Sequence, residues 1–504
     1  MLRQATLTLV VVLSCFFSIS AQPVLTPVNV ALGGGGSTYI TDYNANFYNP
    51  ANLFISDRIR NIDVGLLVTG TYFNGVQNFS GISEQRSNLE NYIYAYKPGE
   101  YSINSVDRGH ILEDNYIRNR STSLHQTRLD ATLMGFKIRN DKRALSFAVR
   151  NRIASSFEVG KGWYSNELQD INAEQVLDRT LIHRYQSMYE FSIGYAESFR
   201  FFSDMTSSLD ELSIGAAPKF IIAGAYQNAV WKNSYRTNPG GSFMQVQSFE
   251  YTGTRNFANA VSAYQNGVSA QNAITSNITD EIFDNQGYGV GLDIGFTYLI
   301  TLGSDLSTLL STGQRTQKSL RLAFSITDIG AVRYPADVYQ QSYASEAIIT
   351  ELPTEVSDQV FVGAPGQFLS FVEANTDEQE DPFQNNDAST GSKYVMLPTA
   401  IHSGILFEVN RLKLMGDLSI GLTNNAYNST KLIASAGIEL RPLKFLPLRA
   451  GTQLATELPS FFSFGTAIET KIWDISIATQ FVSRTFKENP TLSGATIATL
   501  QFHF

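Results

Sequence analysis

The chain has 504 residues, with 37 Lys and Arg against 46 Asp and Glu, a formal net charge of −9 and a mean hydropathy of −0.10. An acidic chain of this kind offers no basic surface for nucleic acid, and past the first residues no stretch approaches the roughly 20 consecutive apolar residues of a spanning helix. The single cysteine, Cys15, excludes a disulfide framework and a thiolate metal site.

Residues 1–21 read as a secretory signal peptide. They combine a short positive start at Met1-Leu2-Arg3, an apolar core from Leu7 to Leu13, and Ser20-Ala21 before Gln22 as the cleavage site. Cys15 falls inside this segment, and Leu13 stands where a lipoprotein signal prefers a small residue, so the mature chain is expected to have no cysteine and no lipid anchor. Residues 22–61 follow as a distinct N-terminal segment. Here Ala31-Leu32 leads into Gly33, Gly34, Gly35 and Gly36, then Asp42, then Asn49-Pro50-Ala51-Asn52-Leu53. Glycines open backbone conformations closed to other residues and an Asn-Pro pair fixes a turn, so this segment is suited to fold back into a larger body.

From residue 62 onward the chain alternates apolar and polar residues. Tyr288, Val290, Leu292, Ile294, Phe296 and Tyr298 share one face, with Gly289, Gly291, Asp293, Gly295 and Thr297 on the other. Side chains switch faces at every strand residue, so this pattern suits a strand with lipid on one side and a polar lumen on the other, aromatics marking both edges of the lipid band. Such segments fall at 62–73, 127–139, 143–154, 185–198, 211–225, 287–300, 319–331, 396–409, 411–423, 431–441, 447–455, 461–471, 472–483 and 495–504. The last closes on Phe502 and Phe504. With both ends of the barrel on one side, the odd connections at 74–126, 155–184, 226–286 and 332–395 are the long ones, while Asn140-Asp141-Lys142 and Asn410 mark tight even ones, as outer-membrane barrels require. A soluble sandwich also alternates, but its outward positions should carry lysine and glutamate where these segments carry glycine and serine.

The expected fold is therefore all-β: a 14-stranded antiparallel transmembrane β-barrel over 62–504, with an N-terminal hatch or plug and long extracellular loops, in the outer membrane of a diderm bacterium. The glycine run, Asp42 and Asn49-Pro50-Ala51 ahead of such a barrel resemble the hatch of the FadL family of outer-membrane transporters for hydrophobic compounds. Leu397-Pro398-Thr399, Gly437-Ile438-Glu439-Leu440-Arg441 and Leu446-Pro447-Leu448-Arg449-Ala450-Gly451 resemble PorV-type relatives of the type IX secretion system. The first resemblance implies uptake of hydrophobic small molecules. The second implies a non-enzymatic subunit of a secretion or surface-assembly complex, with secretion-complex proteins as partners. The family commonly has glycine after Asn-Pro-Ala; Asn52 stands there, a residue that tolerates left-handed backbone.

Within this frame the hatch motif is Gly33 to Gly36 with Asn49, Pro50 and Ala51. Pro218, which cannot donate to a ladder, is expected to bring a bulge or kink and, by the resemblance, is a candidate lateral gate. Tyr92, Tyr94 and Tyr96, with Phe361, Phe368 and Phe371, form candidate apolar capture loops or pack the loops against each other. Inward charges of both signs, among them Arg150, Arg152, Glu190, Lys219, Asp293, Glu439, Arg449 and Lys471, are expected to pair across the lumen. The loop from Tyr334 to Ser392 holds eleven acidic residues and no lysine or arginine, without the glycine a calcium loop needs. The five histidines have no metal-ligand spacing and there is no nucleophile elbow, so no catalytic site, metal or cofactor is expected. His402 and Ser403 are adjacent strand residues and face opposite ways.

Overall fold

A computed structural model describes residues 25–55, 61–74, 105–116, 120–140, 142–171, 174–203, 208–278, 284–301, 318–377, 380–384, 388–428, 430–455, 460–483 and 491–504. The strands in chain order are β1 (Ile62–Asn74), β2 (Thr122–Arg139), β3 (Arg143–Gly160), β4 (Gln169–Ile171), β5 (Glu174–Asp178), β6 (Leu181–Ser203), β7 (Ser208–Thr237), β8 (Phe243–Gly253), β9 (Gly287–Thr301), β10 (Lys318–Ile349), β11 (Ala388–Met396), β12 (Ala400–Val409), β13 (Leu412–Gly421), β14 (Ile433–Leu443), β15 (Leu446–Ala455), β16 (Ser460–Glu469), β17 (Trp473–Ser483) and β18 (Thr491–His503). Among the described residues five α-helices accompany them: α1 (Pro27–Ala31), α2 (Ser105–Asn115), α3 (Arg255–Gln265), α4 (Ala270–Asn277) and α5 (Gln367–Asn375).

All but β4, β5, β8 and β11 form a closed, 14-stranded antiparallel barrel. Its seam is the pairing of β1 with β18, running from Asp63↔His503 to Tyr72↔Gly494. Closure gives every barrel strand two neighbours, which is the condition for backbone polar groups to sit in hydrocarbon. Each of the fourteen sequence segments corresponds to one barrel strand. The even connection expected at 199–210 is instead mostly strand, because β6 runs to Ser203 and β7 begins at Ser208. In the turn between β12 and β13, Asn410 takes a φ of 55°, a conformation asparagine tolerates.

The faces follow the alternation. On β9, Tyr288, Val290, Leu292 and Phe296 are exposed, while Asp293 and Thr297 are fully buried in the lumen. Leu414, Leu418 and Ile477 likewise face out, and Lys413, Asp417 and Ser476 face in. β1 departs from strict alternation: Leu66 and Leu67 are both exposed, and Leu67 has a φ of 51°. Its neighbour β2 slips register between Thr132 and Met134 at the same height, so one extra residue is accommodated in both strands.

At the long-loop end β7 and β10 outrun the membrane segments by many residues. Their extensions, with β8, α3, α4 and α5, enclose a large apolar cluster that includes Phe157, Trp163, Tyr185, Trp231, Phe249 and Phe257. The interior thus has two parts: a hatch within the barrel and an apolar cap over its mouth.

Candidate functional site

The hatch is made of short pieces, each fixed by its own sequence. Thr26 caps α1 in a reciprocal box with Asn29, and Pro27 sits at the first helical position, where its missing N–H costs nothing. Gly33 and Gly34 then adopt φ of 77° and 86°, turning the chain back; the left-handed conformation explains why glycine is needed at these two positions. The amides of Gly36 and Ser37 donate to the Asp417 carboxylate of β13 at 3.1 and 3.2 Å, and Gly33 N–H donates to Ser463 Oγ at 3.1 Å. Asp42 and Asn49 cap two 3₁₀ turns, Tyr43–Phe47 and Pro50–Leu53. Asp42 is held in the lumen, and burial raises its carboxyl above the usual range despite hydrogen bonds from Asn44.

The Asn-Pro-Ala motif anchors the hatch to β9. Asn49 Nδ2 donates to Ser37 O at 2.9 Å and to Thr297 Oγ1 at 3.0 Å, and its Oδ1 accepts from Ala51 N–H at 3.2 Å. Asn52 is not left-handed; it lies in the 3₁₀ turn and completes the same latch. Its Nδ2 donates to Ser37 O at 2.6 Å and its Oδ1 accepts from Thr297 Oγ1 at 2.7 Å. Asn52, standing where the resemblance leads one to expect glycine, therefore carries a side-chain bond to the wall that glycine could not make.

The wall makes room for this plug with glycine. A Cβ on Gly295 would lie 1.9 Å from Asn49 Oδ1, on Gly215 2.4 Å from Ala51 N, on Gly451 2.2 Å from Gly33 N, and on Gly404 2.0 Å from Ser37 Oγ. Gly65 and Gly135 flank the Tyr43 ring with equal tightness. Sequence reasoning missed this seat, although inward glycines recurring in many of the strands, opposite one another at Gly65↔Gly135, Gly215↔Gly295 and Gly437↔Gly451, were a signal it could have used.

Directly beyond the hatch the lumen is closed by buried charge. Glu190 accepts from Arg150 at 2.7 Å and from Arg152 at 3.0 Å; Arg152 reaches Asp328 at 3.1 Å; Lys219 contacts Asp293 at 2.9 Å and also bonds Asp328. Asp328 is brought inward by a bulge in β10 between Ile326 and Ile329, where its φ is 58° and its N–H donates to Asp293 at 2.5 Å. The hatch and a loop clamp the cluster from either side. The Phe47 ring lies 4.0 Å from the Arg150 guanidinium, and Tyr427 from the loop after β13 lies 4.2 Å from that of Arg152, donating its hydroxyl to Arg152 O and Gln186 O. Burial raises the Tyr427 hydroxyl well above its ordinary value, so it stays a donor. Neither Asp328 nor Tyr427 was singled out from sequence.

On the other side of the hatch a cavity of about 490 Å³ opens at the short-turn end. Its walls are paired charges: Arg449 and Arg441 each bridge Glu439 and Glu469 at 2.7 Å, Tyr39 of the hatch bonds Glu439, and Lys137 and His503 hold Asp63 at 2.6 and 2.7 Å. Lys471, expected in the lumen, is exposed in the turn between β16 and β17, because β16 ends at Glu469.

Phe361, Phe368 and Phe371 are all fully buried in the apolar cap, with Phe361 edge-on to Phe371 at 5.5 Å and to Phe157 at 5.3 Å. Tyr92, Tyr94 and Tyr96 lie outside the described residues. Pro218 is exposed on the lipid face; β7 keeps its register with β9 through Pro218↔Leu292, and with β6 from Ser192↔Lys219 to Tyr195↔Ala216. The bulge of that β6–β7 pair falls instead between Gln186 and Met188. His402 is buried beside Tyr48 and Ser403 is exposed, on opposite faces. Among the described residues no cluster of three His, Cys, Asp or Glu is arranged to hold a metal ion.

Fold and site together define a membrane-spanning β-barrel closed by its own N-terminal hatch. The chain belongs to the family of unknown function DUF5723, whose model matches residues 67–478. No curated protein matches. Solved structures with similar layout include the Pseudomonas putida toluene transporter TodX (12% identity, 95% of this chain and 99% of that one, TM-score 0.42), the Ralstonia pickettii toluene transporter TbuX (14%, 95% and 98%, 0.41) and a Pseudomonas aeruginosa FadL homologue (11%, 96% and 99%, 0.40).

Proposed function

We propose that the protein is a non-enzymatic outer-membrane channel of FadL-like type that admits a hydrophobic small molecule and rests in a closed state. The observation that carries this reading is the seat of the hatch. The plug is a separate segment, held to the wall by hydrogen bonds and fitted to a ring of glycines, and an element held this way can move without unfolding the barrel. On this reading the aromatic cap outside the membrane is where an apolar solute first partitions. The cluster around Lys219 keeps the central lumen impassable until hatch and Tyr427 loop shift. Pro218, facing lipid, is the candidate position for sideways release.

A second reading, a PorV-like subunit of a secretion or surface-assembly complex, is favoured by one observation: the six-charge seal is fully buried and internally paired, as suits a barrel that never opens. Purification in mild detergent, with mass spectrometry of bound lipids and of co-purifying proteins, separates the two. A hydrophobe recovered from an otherwise lone barrel supports the channel. A stoichiometric protein partner with no bound small molecule sinks the channel reading in favour of the scaffold.

A further inference from the structure

The lumen seal holds an arrangement that charge pairing alone does not require. Lys219 on β7 stands opposite Gly291 of β9, and Asp293 is its diagonal neighbour on the inner face, within reach of a long side chain. Gly291 clears the path, since a Cβ there would meet Lys219 Cε at 2.9 Å. The Lys219 ammonium is thereby aimed at Asp293 Oδ2, 2.9 Å away, and it also bonds Asp328 Oδ1. Asp293 Oδ1 accepts at 2.5 Å from the Asp328 N–H, which the β10 bulge turns inward. The side chains of Lys219 and Asp293 have no contact with solvent. Ile221, two residues along the same face of β7, and Leu397, whose methyl lies over Gly291, are fully buried beside them.

We propose that Lys219 and Asp293 are the site of a self-made covalent modification, an isopeptide bond that staples β7 to β9 inside the lumen. The Lys219 ammonium gives one proton to Asp293 Oδ2, turning a buried ion pair into an amine and a carboxylic acid with no change in net charge. The amine lone pair attacks Asp293 Cγ, and the negative charge that develops on Oδ1 falls on the Asp328 N–H already bonded there. The Asp328 carboxylate takes a second proton from the nitrogen and passes it to the departing Oδ2 hydroxyl. A C–N bond forms, a C–O bond breaks and one water leaves; nothing is oxidised or reduced and no co-reactant is needed. Fixed contact makes the step intramolecular, where effective concentrations reach about 10⁵–10⁸ M, and the amide removes two charges that are costly to keep out of water.

Charge balance selects Asp293 among the carboxylates in reach. With Lys219 and Asp293 consumed, Arg150 and Arg152 still face Glu190 and Asp328, through contacts of 2.7, 3.0 and 3.1 Å. Condensation with Asp328 would instead leave Asp293, whose only ion-pair partner among the described residues is Lys219, as a lone buried carboxylate. Glu190 lies further from the ammonium, at 3.6 Å, and is held by both arginines. Asp328, steadied by Arg152, is thus the base and Asp293 the acyl donor. The staple joins two wall strands and leaves the hatch untouched, so it is independent of whether the lumen opens.

The test is a mass-spectrometric peptide map of the full-length barrel, purified from membranes and denatured before digestion. The expected result is a linked pair of peptides, one carrying Lys219 and the other Asp293, lighter than their sum by one water. Lys219→Arg keeps the positive charge but offers no amine, and is expected to show neither link nor water loss. In Asp328→Asn the rate at which the link forms is expected to fall about a hundredfold. Full recovery of both peptides unlinked from the unmutated protein would overturn the proposal without recourse to any variant. A link to Asp328 in place of Asp293, a water loss confined to one peptide, as a cyclised aspartate gives, or an undiminished rate in Asp328→Asn would each overturn it as well.

Discussion

The hatch level and the cap close the same barrel by opposite means. At the hatch, small apolar clusters are joined by many hydrogen bonds, ion pairs and glycine-to-backbone approaches: Asn49 and Asn52 on Thr297, the Gly36–Ser37 amides on Asp417, Lys219 on two carboxylates. In the cap, rings and aliphatic chains dominate the contacts, pinned at points by buried hydrogen bonds such as those of the Val362 and Gly363 amides to Gln367 Oε1. Hydrogen bonds and ion pairs are directional and lose most of their worth with small displacement, while apolar contact degrades gradually. The hatch is therefore a latch with discrete seated geometry, and the cap a cohesive lid.

The largest effect should come from Lys219→Met. It leaves Asp293 without its buried counter-charge and Asp328 with Arg152 alone, and we expect a loss of about 3–5 kcal/mol, seen as a lower unfolding midpoint in a urea gradient of the detergent-solubilised barrel. A loss near zero would mean the seal contributes nothing to the closed barrel. Phe361→Ala should cost a similar amount, about 3–5 kcal/mol, but locally. Limited proteolysis is expected to cut the cap while the barrel keeps its heat-resistant migration on gels; loss of both together would erase the distinction between lid and latch.

Gly215→Val should act on the latch alone. Its Cβ would collide with the Pro50–Ala51 backbone, so the hatch must shift, at about 1–3 kcal/mol, and a cysteine pair bridging hatch and wall should form more slowly in the variant. The smallest effect is a pH dependence. Burial places the Asp42 carboxyl above its unfolded value, so the seated hatch binds this proton more readily than the released one, and its contribution to seating falls as pH rises through that raised range. Seating should tighten on acidification, and Asp42→Asn should flatten the profile; an unchanged slope in the variant would assign the dependence to another group.

How far the sequence disclosed this architecture differs along the chain. Where a strand lies in lipid, one face must be apolar at every second residue, so all fourteen segments were legible. That constraint ends at the membrane surface. β7 and β10 run on to Thr237 and Ile349, well past the segments assigned at 211–225 and 319–331, because Lys232 and Glu346 carry no lipid-facing signal and a wall in water resembles a loop. The hatch glycines were visible as a run, but Asp417, the partner of Gly36, lies 381 residues further on and no local pattern connects them. The aromatics at Phe361, Phe368 and Phe371 were legible as a cluster; that they fill a core follows only once β8 and three helices are seen to wrap them.

The most direct test of the account is single-channel recording in planar bilayers of the intact barrel and of a variant lacking the hatch, residues 25–55, combined with Lys219→Met and Tyr427→Ala. The intact protein should be electrically silent and the variant should conduct in steady, barrel-sized steps. A steady conductance from the intact protein, or a silent but correctly folded hatch-less variant, would contradict a lumen closed by hatch and charge seal.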